Sequence, residues 1–249
     1  MKKRNKTNHK STPEPKHLSE RRKMLKVGTI GTLAAITGLA KVASAEDSKK
    51  TRYVMVIDLR RCSGCQSCAI ACKSEFEVPL GVWRSWVKET EEGKYPKTKR
   101  HFLPRLCNHC DNPPCIEVCP VDATFQRPDG AVLINDDECI GCELCIPACP
   151  YNARYLNPDK KIAEKCTLCV HRVDNGVVPS CVNTCPGNAR IFGDMNDPDS
   201  EVAKLIASEK VKVLNPEIGT DPRVYYIASD DKLIEKMKKE VKVGPAYAI

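Results

Sequence analysis

The sequence predicts an α+β fold that is organised around its cysteines. Three observations support this prediction. All 16 cysteines of the 249-residue chain lie between Cys62 and Cys185, their spacing recurs in four groups, and short strand-like runs lead into two of these groups. Aromatic residues make up only 5% of the chain, so the large side chains that usually dominate a core are scarce. Some other source of cohesion must therefore exist.

The first 45 residues are predicted to be an export signal. They carry a net charge of +9 and the remaining 204 residues carry −1, so the basic overall balance does not indicate nucleic-acid binding by the body. Arg21 and Arg22 precede a weakly apolar run, Val27–Ala40, and a small-x-small cleavage site ends at Ala45. This order is typical of a twin-arginine signal, which exports folded proteins. A disordered basic tail is the alternative.

Cleavage after Ala45 would leave a periplasmic body over residues 46–249. We expect no transmembrane segment, because no uncharged apolar run reaches the 18 residues that a membrane helix needs.

Each cysteine group opens with a Cys-x2-Cys pair and closes with a Cys-x3-Cys pair. Group one is Cys62, Cys65, Cys68 and Cys72; group two is Cys107, Cys110, Cys115 and Cys119; group three is Cys139, Cys142, Cys145 and Cys149; group four is Cys166, Cys169, Cys181 and Cys185. Groups one and three have the spacing of bacterial ferredoxins, in which three close thiolates hold one cubane cluster and the fourth ligates a second cluster. Groups two and four have longer middle loops.

Sixteen thiolates at four per cluster predict four 4Fe-4S clusters with no cysteine left over. Soft thiolates suit iron-sulfur chemistry, and Gly64 and Gly141 allow a tight loop at the same place in groups one and three. Two other interpretations remain open: Cys-x2-Cys pairs also bind zinc, and exported cysteine-rich chains form disulfides. Brown colour with broad absorbance at about 400 nm would indicate iron-sulfur clusters.

Short strands and an inserted hairpin are predicted around the cysteine groups. Tyr53–Asp58 and Ala131–Ile134 read as strands that each enter a cysteine group. A strand over Val82–Val87 followed by a turn at Glu91–Gly93 predicts a β-hairpin, with Trp83 and Trp86 on opposite faces. Beyond group four, the sequence predicts a short helix capped by Ser200 and ending at Ile206, strands at Val211–Leu214 and Val224–Ile227, and a charged helix over Asp231–Glu240.

His109 and His171 adjoin predicted ligand cysteines. Because the thiolate count is already complete, we expect both to be exposed neighbours of a cluster or part of an interface rather than ligands.

Several motifs resemble the four-cluster electron-transfer subunits of the molybdopterin oxidoreductase (DMSO-reductase) family. They are Cys62–Cys68, Leu103–Cys115, Cys119–Gly130, Cys149–Arg154 and Lys165–Arg172. The resemblance implies two ferredoxin-like 4Fe-4S modules with nested cysteine groups, an inserted β-hairpin and short flanking helices. The first module would comprise residues 53–81 and 160–195, the second residues 100–159, and residues 196–249 would form a C-terminal extension.

The resemblance further implies that each fourth cysteine crosses to the cluster of a partner group. The implied ligand sets are Cys62, Cys65, Cys68 with Cys185; Cys166, Cys169, Cys181 with Cys72; Cys107, Cys110, Cys115 with Cys149; and Cys139, Cys142, Cys145 with Cys119.

The function implied by the resemblance is electron transfer without a substrate site in this chain. The protein would relay electrons between a membrane quinol-oxidising subunit and a molybdopterin catalytic subunit. The leader and the segment Lys212–Pro222 are similar to those of subunits that serve tetrathionate reduction. Polysulfide, thiosulfate and arsenate reductases and nitrite-reductase quinol dehydrogenases are alternatives within the family. A freestanding polyferredoxin and a zinc-binding or structural module are alternatives outside it.

Overall fold

A computed structural model describes residues 50–228 of the chain. The predicted export signal over residues 1–45 and the predicted helix at Asp231–Glu240 lie outside this range. Among the described residues, no helix has the length and apolar character needed to cross a bilayer.

Short strands alternate with short helices along the described chain. The strands are β1 (Tyr53–Asp58), β2 (Ser85–Lys94), β3 (Lys97–Leu106), β4 (Thr124–Gln126), β5 (Val132–Ile134), β6 (Arg154–Leu156), β7 (Ala163–Lys165), β8 (Arg190–Asp194), β9 (Val211–Lys212) and β10 (Val224–Ile227). The helices are α1 (Ser67–Glu75), α2 (Pro114–Glu117), α3 (Val170–Val173), α4 (Ser180–Asn183) and α5 (Glu201–Ser208), and a 3-10 turn covers Pro216–Ile218.

The central sheet has the strand order β8-β1-β10-β9. Strand β1 pairs antiparallel with β8 and parallel with β10, so the start of the body is joined to segments near its end. Because side chains alternate between the two faces of a strand, Met55 and Ile57 pack into the cysteine-rich core, whereas Val54 and Val56 pack with Val202 of α5. Both faces of β1 are therefore covered, which explains its continuous apolar sequence.

Three antiparallel hairpins, β2–β3, β4–β5 and β6–β7, complete the strand pairing of the described chain. Strand β7 lies in the range predicted for the first module but pairs with β6, in the range predicted for the second. This pairing joins the two ranges through the backbone.

Cysteines form a large part of the principal core. Six of them pack there with Met55, Leu103 and Tyr226; these cysteines are Cys68, Cys107, Cys110, Cys149, Cys166 and Cys181. The scarcity of aromatic side chains is thus offset by thiols that converge from all four cysteine groups.

The inserted hairpin has the predicted place, but its predicted turn is wrong. Residues 91–93 continue β2, and the turn lies at Tyr95 and Pro96. Glu91 and Glu92 stand opposite Arg100 and Lys99, and such cross-strand pairs of opposite charge favour a longer ladder over a charged turn. Proline, which has no N–H to donate, occupies the actual turn.

The placement of the two tryptophans also differs from the prediction. Trp83 precedes β2, and its ring faces the Nζ atom of Lys73 at 4.4 Å. Only Trp86 belongs to the strand, where it packs against the cysteine-rich core. The alternation expected of a strand therefore does not relate the two rings.

After group four, the elements predicted before residue 229 are present, but two of them end at other residues than predicted. The Ser200 hydroxyl accepts the Ala203 N–H, which caps α5 as predicted, although the helix continues to Ser208. The strand predicted at Val211–Leu214 ends at Lys212, because only Val211 and Lys212 pair with β10. Leu214 turns into the core instead, where it is buried.

Candidate metal centres

The four cysteine groups share one loop conformation although their sequences differ. The residue before the second cysteine has a positive φ in every group: +72° at Gly64, +44° at His109, +66° at Gly141 and +55° at Leu168. Glycine adopts this left-handed conformation without strain, whereas histidine and leucine do so only when the surrounding structure imposes it. The common turn shows that the fourfold repeat in the sequence is a fourfold repeat in the backbone.

The chain leaves three of the groups in the same way. The third residue after the last cysteine has a positive φ in groups two, three and four, at Asp122, Asn152 and Asn188. Group one differs, because Lys73 replaces the proline found in the others and α1 continues to Glu75. Cys68 and Cys72 both lie on this helix.

Three cavities are each lined by four cysteines. The first, of about 340 Å³, is lined by Cys62, Cys65, Cys68 and Cys185, and we refer to it as site 1. The second, of about 320 Å³, is lined by Cys107, Cys110, Cys115 and Cys149, here site 3. The third, also about 320 Å³, is lined by Cys119, Cys139, Cys142 and Cys145, here site 4. In each, three cysteines come from one group and the fourth from another.

The remaining four cysteines form site 2, which consists of Cys72, Cys166, Cys169 and Cys181. Cys166 interacts electrostatically with the other three, and Cys72 with Cys169 and Cys181. Helix α1, which carries Cys72, packs against α4, which carries Cys181. These four thiols, too, combine three members of one group with the last member of another.

The four sites follow one another in a row. Cys181 of site 2 interacts with Cys68 of site 1, and Cys166 of site 2 interacts with Cys107 of site 3. Cys115 of site 3 shares a packed cluster with Cys145 of site 4. The order along the molecule is therefore site 1, site 2, site 3, site 4.

Exposure separates the ends of this row from its middle. All eight cysteines of sites 2 and 3 are buried. Sites 1 and 4 each contain one exposed thiol, Cys65 and Cys142 respectively, and two that are half-buried. Only the two terminal sites thus present a cysteine fully to the surface.

Burial raises the pKa of several interior thiols. It raises the pKa of Cys72 and of Cys110 to about 12, and the neighbouring thiols act in the same direction. In contrast, hydrogen bonding to Ser67 lowers the pKa of the exposed Cys65. Without a ligand, the thiols of Cys72 and Cys110 are therefore protonated at neutral pH, and a metal that binds them must displace their protons.

The residues present fit iron-sulfur clusters better than single ions. None of the sixteen cysteines forms a disulfide, and within residues 50–228 no group of three or more His, Cys, Asp or Glu side chains is arranged around one ion position. A cubane cluster binds each thiolate through a different iron, so its four ligands surround a larger volume than those of one zinc ion.

Buried donors at the cavities support the same assignment. Arg190 lines site 1, and its Nε and Nη1 atoms have no hydrogen-bond partner. Asn108 and Arg154 line site 3, and the Nδ2 atom of Asn108 and the Nη2 atom of Arg154 also have none. Buried polar groups are nearly always paired, so these donors point to an acceptor such as the sulfides of a cluster.

The two histidines behave differently from each other. His171 is exposed and its Nε2 atom lies 2.8 Å from Glu75 Oε1, as expected of a surface residue. The predicted exposure of His109 is wrong: only 1% of its surface is accessible. Its Nδ1 atom accepts the Val132 N–H at 3.0 Å, and burial lowers the pKa of the imidazole well below its usual value. His109 is thus a neutral part of the group-two loop.

The chain matches both protein-family models and individual known proteins. The family model of a 4Fe-4S dicluster domain matches residues 98–195, and that of a 4Fe-4S binding domain matches residues 60–77. The chain is 46% identical over 219 residues to a tetrathionate reductase subunit of Salmonella typhimurium, which covers 82% of this chain and 87% of the relative. It is 46% identical over 178 residues to the corresponding tetrathionate reductase subunit of Archaeoglobus fulgidus, covering 71% and 82%. It is 38% identical over 226 residues to the arsenate respiratory reductase iron-sulfur subunit of a Shewanella species, covering 72% and 97%.

Proposed function

Because the chain belongs to the family of iron-sulfur subunits of molybdopterin oxidoreductase complexes, which transfer electrons and are not catalytic, we propose that it relays electrons through four 4Fe-4S clusters. Each cluster would be held by one of the four cysteine sets defined above. Sites 1 and 2 would form one ferredoxin-like module, and sites 3 and 4 the other. Bound clusters supply reversible one-electron chemistry.

The residues of this chain provide the path for that chemistry. Their thiolates hold four centres in a fixed row, and the packed core around sites 2 and 3 keeps water away from the middle of the row. Burial and nearby hydrogen-bond donors adjust the reduction potential of such centres. The chain thereby sets both the route of the electrons and the reduction potentials along that route.

The single observation that carries this proposal is the exposure of the row at its two ends. Cys65 in site 1 and Cys142 in site 4 are exposed, whereas every cysteine between the two terminal sites is buried. A carrier with one active centre needs one exposed edge, but a relay between two partners needs two. Sites 1 and 4 meet this requirement.

We propose a membrane quinol-oxidising subunit and a molybdopterin catalytic subunit as the partners at the two ends. Tetrathionate is the proposed terminal acceptor, because two relatives at 46% identity are tetrathionate reductase subunits. The relatives associated with arsenate and selenate reductases are 38% and 42% identical. Export in the folded state to the periplasm, through the signal in residues 1–45, completes the proposal.

A strain that lacks this chain but keeps its partner subunits tests the function. Membranes from cells complemented with the full chain should reduce tetrathionate with a quinol analogue as donor, and iron analysis of the purified chain should give sixteen irons. Arsenate and selenate serve as control acceptors. Equal or faster reduction of a control acceptor would overturn the choice of tetrathionate. Release of the chain as a soluble monomer that exchanges electrons freely would favour the polyferredoxin.

A further inference from the structure

Two cysteine groups are followed by the same sequence. Group three ends in Cys149-Pro-x-Asn-Ala-Arg154 and group four in Cys185-Pro-x-Asn-Ala-Arg190. Each arginine begins a strand, β6 or β8, and each is only 2% exposed. The repeat therefore buries a permanent positive charge at equivalent places in the two modules.

Arg154 lies between sites 3 and 4. Its guanidinium interacts with the thiols of Cys115 in site 3 and Cys145 in site 4. One nitrogen, Nη1, donates to the Thr124 hydroxyl at 3.2 Å. The other terminal nitrogen, Nη2, has no partner.

Arg190 lies between sites 1 and 2 in the corresponding way. Its guanidinium interacts with Cys181 of site 2 and Cys68 of site 1. Nη2 donates to the Ser85 hydroxyl at 2.9 Å, and Nε and Nη1 have no partner. A hydroxyl thus orients each arginine and leaves part of its donor capacity free.

Lys165 lies at the junction between the two modules. The ammonium interacts with Cys166 of site 2 and with Cys107 and Cys115 of site 3. It is 2% exposed, and it donates to the carbonyl oxygens of Val132 and, at 2.8 Å, of Cys166. An ammonium has three N–H donors, so one is left for a further acceptor.

Among residues 50–228, no carboxylate forms a salt bridge with any of these three cations. Arg84, which is also buried, shows the usual solution, since its Nη2 atom lies 2.9 Å from the Glu164 carboxylate. Burying a charge without a partner is costly, and a negative group beside these cations would offset that cost. Thiolate-ligated clusters carry that negative charge.

We propose that Arg190, Lys165 and Arg154 are the counter-ions of the bound clusters, one at each junction of the row, and that each raises the reduction potential of the two centres beside it. Reduction adds negative charge, so a fixed cation between two centres favours the reduced form of both. These are positioning residues for electron transfer, not ligands. The inference rests on the proposed function, since it needs clusters in the four sites.

Redox titration of the full, cluster-loaded chain, followed by EPR, tests the proposal without an activity assay. In Arg154→Met, two of the four potentials should fall and two should stay. In Arg190→Met, the pair that falls should be the other two. Arg154→Lys and Arg190→Lys keep the charge and should keep all four potentials near those of the parent chain, whereas a purely steric role would be disturbed by lysine as well.

Each outcome decides the matter. The proposal is overturned if the same signals move in both methionine variants, if none moves, or if the lysine variants shift the potentials as far as the methionine variants do. If a methionine variant loads fewer clusters, Arg154→Gln and Arg190→Gln replace it, because glutamine keeps N–H donors without the charge; the same potentials should then fall. If the lysine variants also load fewer clusters, the arginines have a structural role and the proposal is contradicted. Fewer than four clusters in the parent chain would instead reject the proposed function.

Discussion

Cys62 and Cys185 line the same cavity although they belong to the first and the last cysteine groups. Strand β1 leads towards Cys62 and β8 follows Cys185, and the two strands are neighbours in the central sheet. Backbone pairing therefore brings these two thiols together. The bound centres would in turn tie the two ends of the first module to each other.

Removal of the clusters should destabilise the whole body. Six cysteines belong to the principal core, so loss of the iron leaves packed but unligated thiols where four covalent crosslinks would be. Because binding energy at such sites becomes folding energy, we expect the free energy of unfolding to fall by about 5 kcal/mol or more. Urea denaturation followed by circular dichroism, before and after removal of iron, measures the change. Coincident curves would show that the fold does not depend on the clusters.

Loss of one partner of the buried Arg84–Glu164 ion pair should destabilise the fold more than loss of both charges. Arg84→Met leaves the Glu164 carboxylate buried, with Lys160 Nζ at 3.3 Å as its remaining ion-pair partner, and should cost about 3 kcal/mol of unfolding free energy. Arg84→Met combined with Glu164→Gln removes both charges and keeps one of the two oxygen acceptors to which Tyr155 and Asn157 donate. The double variant should be more stable than the single one. An equal or greater loss in the double variant would contradict this account.

Sites 1 and 4 should differ in reduction potential. Glu143 lines site 4, and an exposed acidic run at residues 136–138 directly precedes Cys139 of that site, whereas Arg61 lines site 1. Negative charge disfavours reduction, so site 4 should have the lower potential. Glu143→Gln should raise the potential of site 4 and Arg61→Gln should lower that of site 1, each by about 20–40 mV because exposed charges are screened. Redox titration at low and high salt measures both shifts, and opposite signs would refute the argument.

Export of the chain should depend on its paired arginines. With Arg21→Lys and Arg22→Lys together, the cluster-loaded precursor should accumulate in the cytoplasm, because the twin-arginine route recognises that pair. Arg4→Lys, outside the pair, is the control and should be exported. Fractionation with immunoblotting measures both, and normal periplasmic accumulation of the double variant would reject the signal.

Local features of the fold could be predicted from the sequence because they depend on neighbouring residues. The strand before Cys62, the cap at Ser200 and the inserted hairpin all follow from patterns a few residues long. The hairpin turn could not be placed, because Glu91 and Glu92 resemble a polar turn until their cross-strand partners Arg100 and Lys99 are known.

Long-range features needed the structure. Nothing in the spacing of the cysteine groups indicates that β1 pairs with β8 and β10, or that His109 is buried and accepts the Val132 N–H. The repeated segments that end in Arg154 and Arg190 were visible in the sequence, and that repeat could have indicated two equivalent cations. Their position between sites depends on tertiary packing, so their role could not be predicted.

The crossed ligand sets are the central claim, and EPR of three variants tests them most directly. Cys65→Ser and Cys169→Ser serve as references for sites 1 and 2, since each changes a ligand inside its own group. Serine oxygen is a harder ligand than thiolate, so each should shift the potential of one cluster or convert it to a three-iron form. Cys185→Ser should reproduce the spectrum of Cys65→Ser, although Cys185 belongs to the same group as Cys169. If it reproduced the spectrum of Cys169→Ser instead, each group would hold its own cluster, and the nested arrangement would be contradicted.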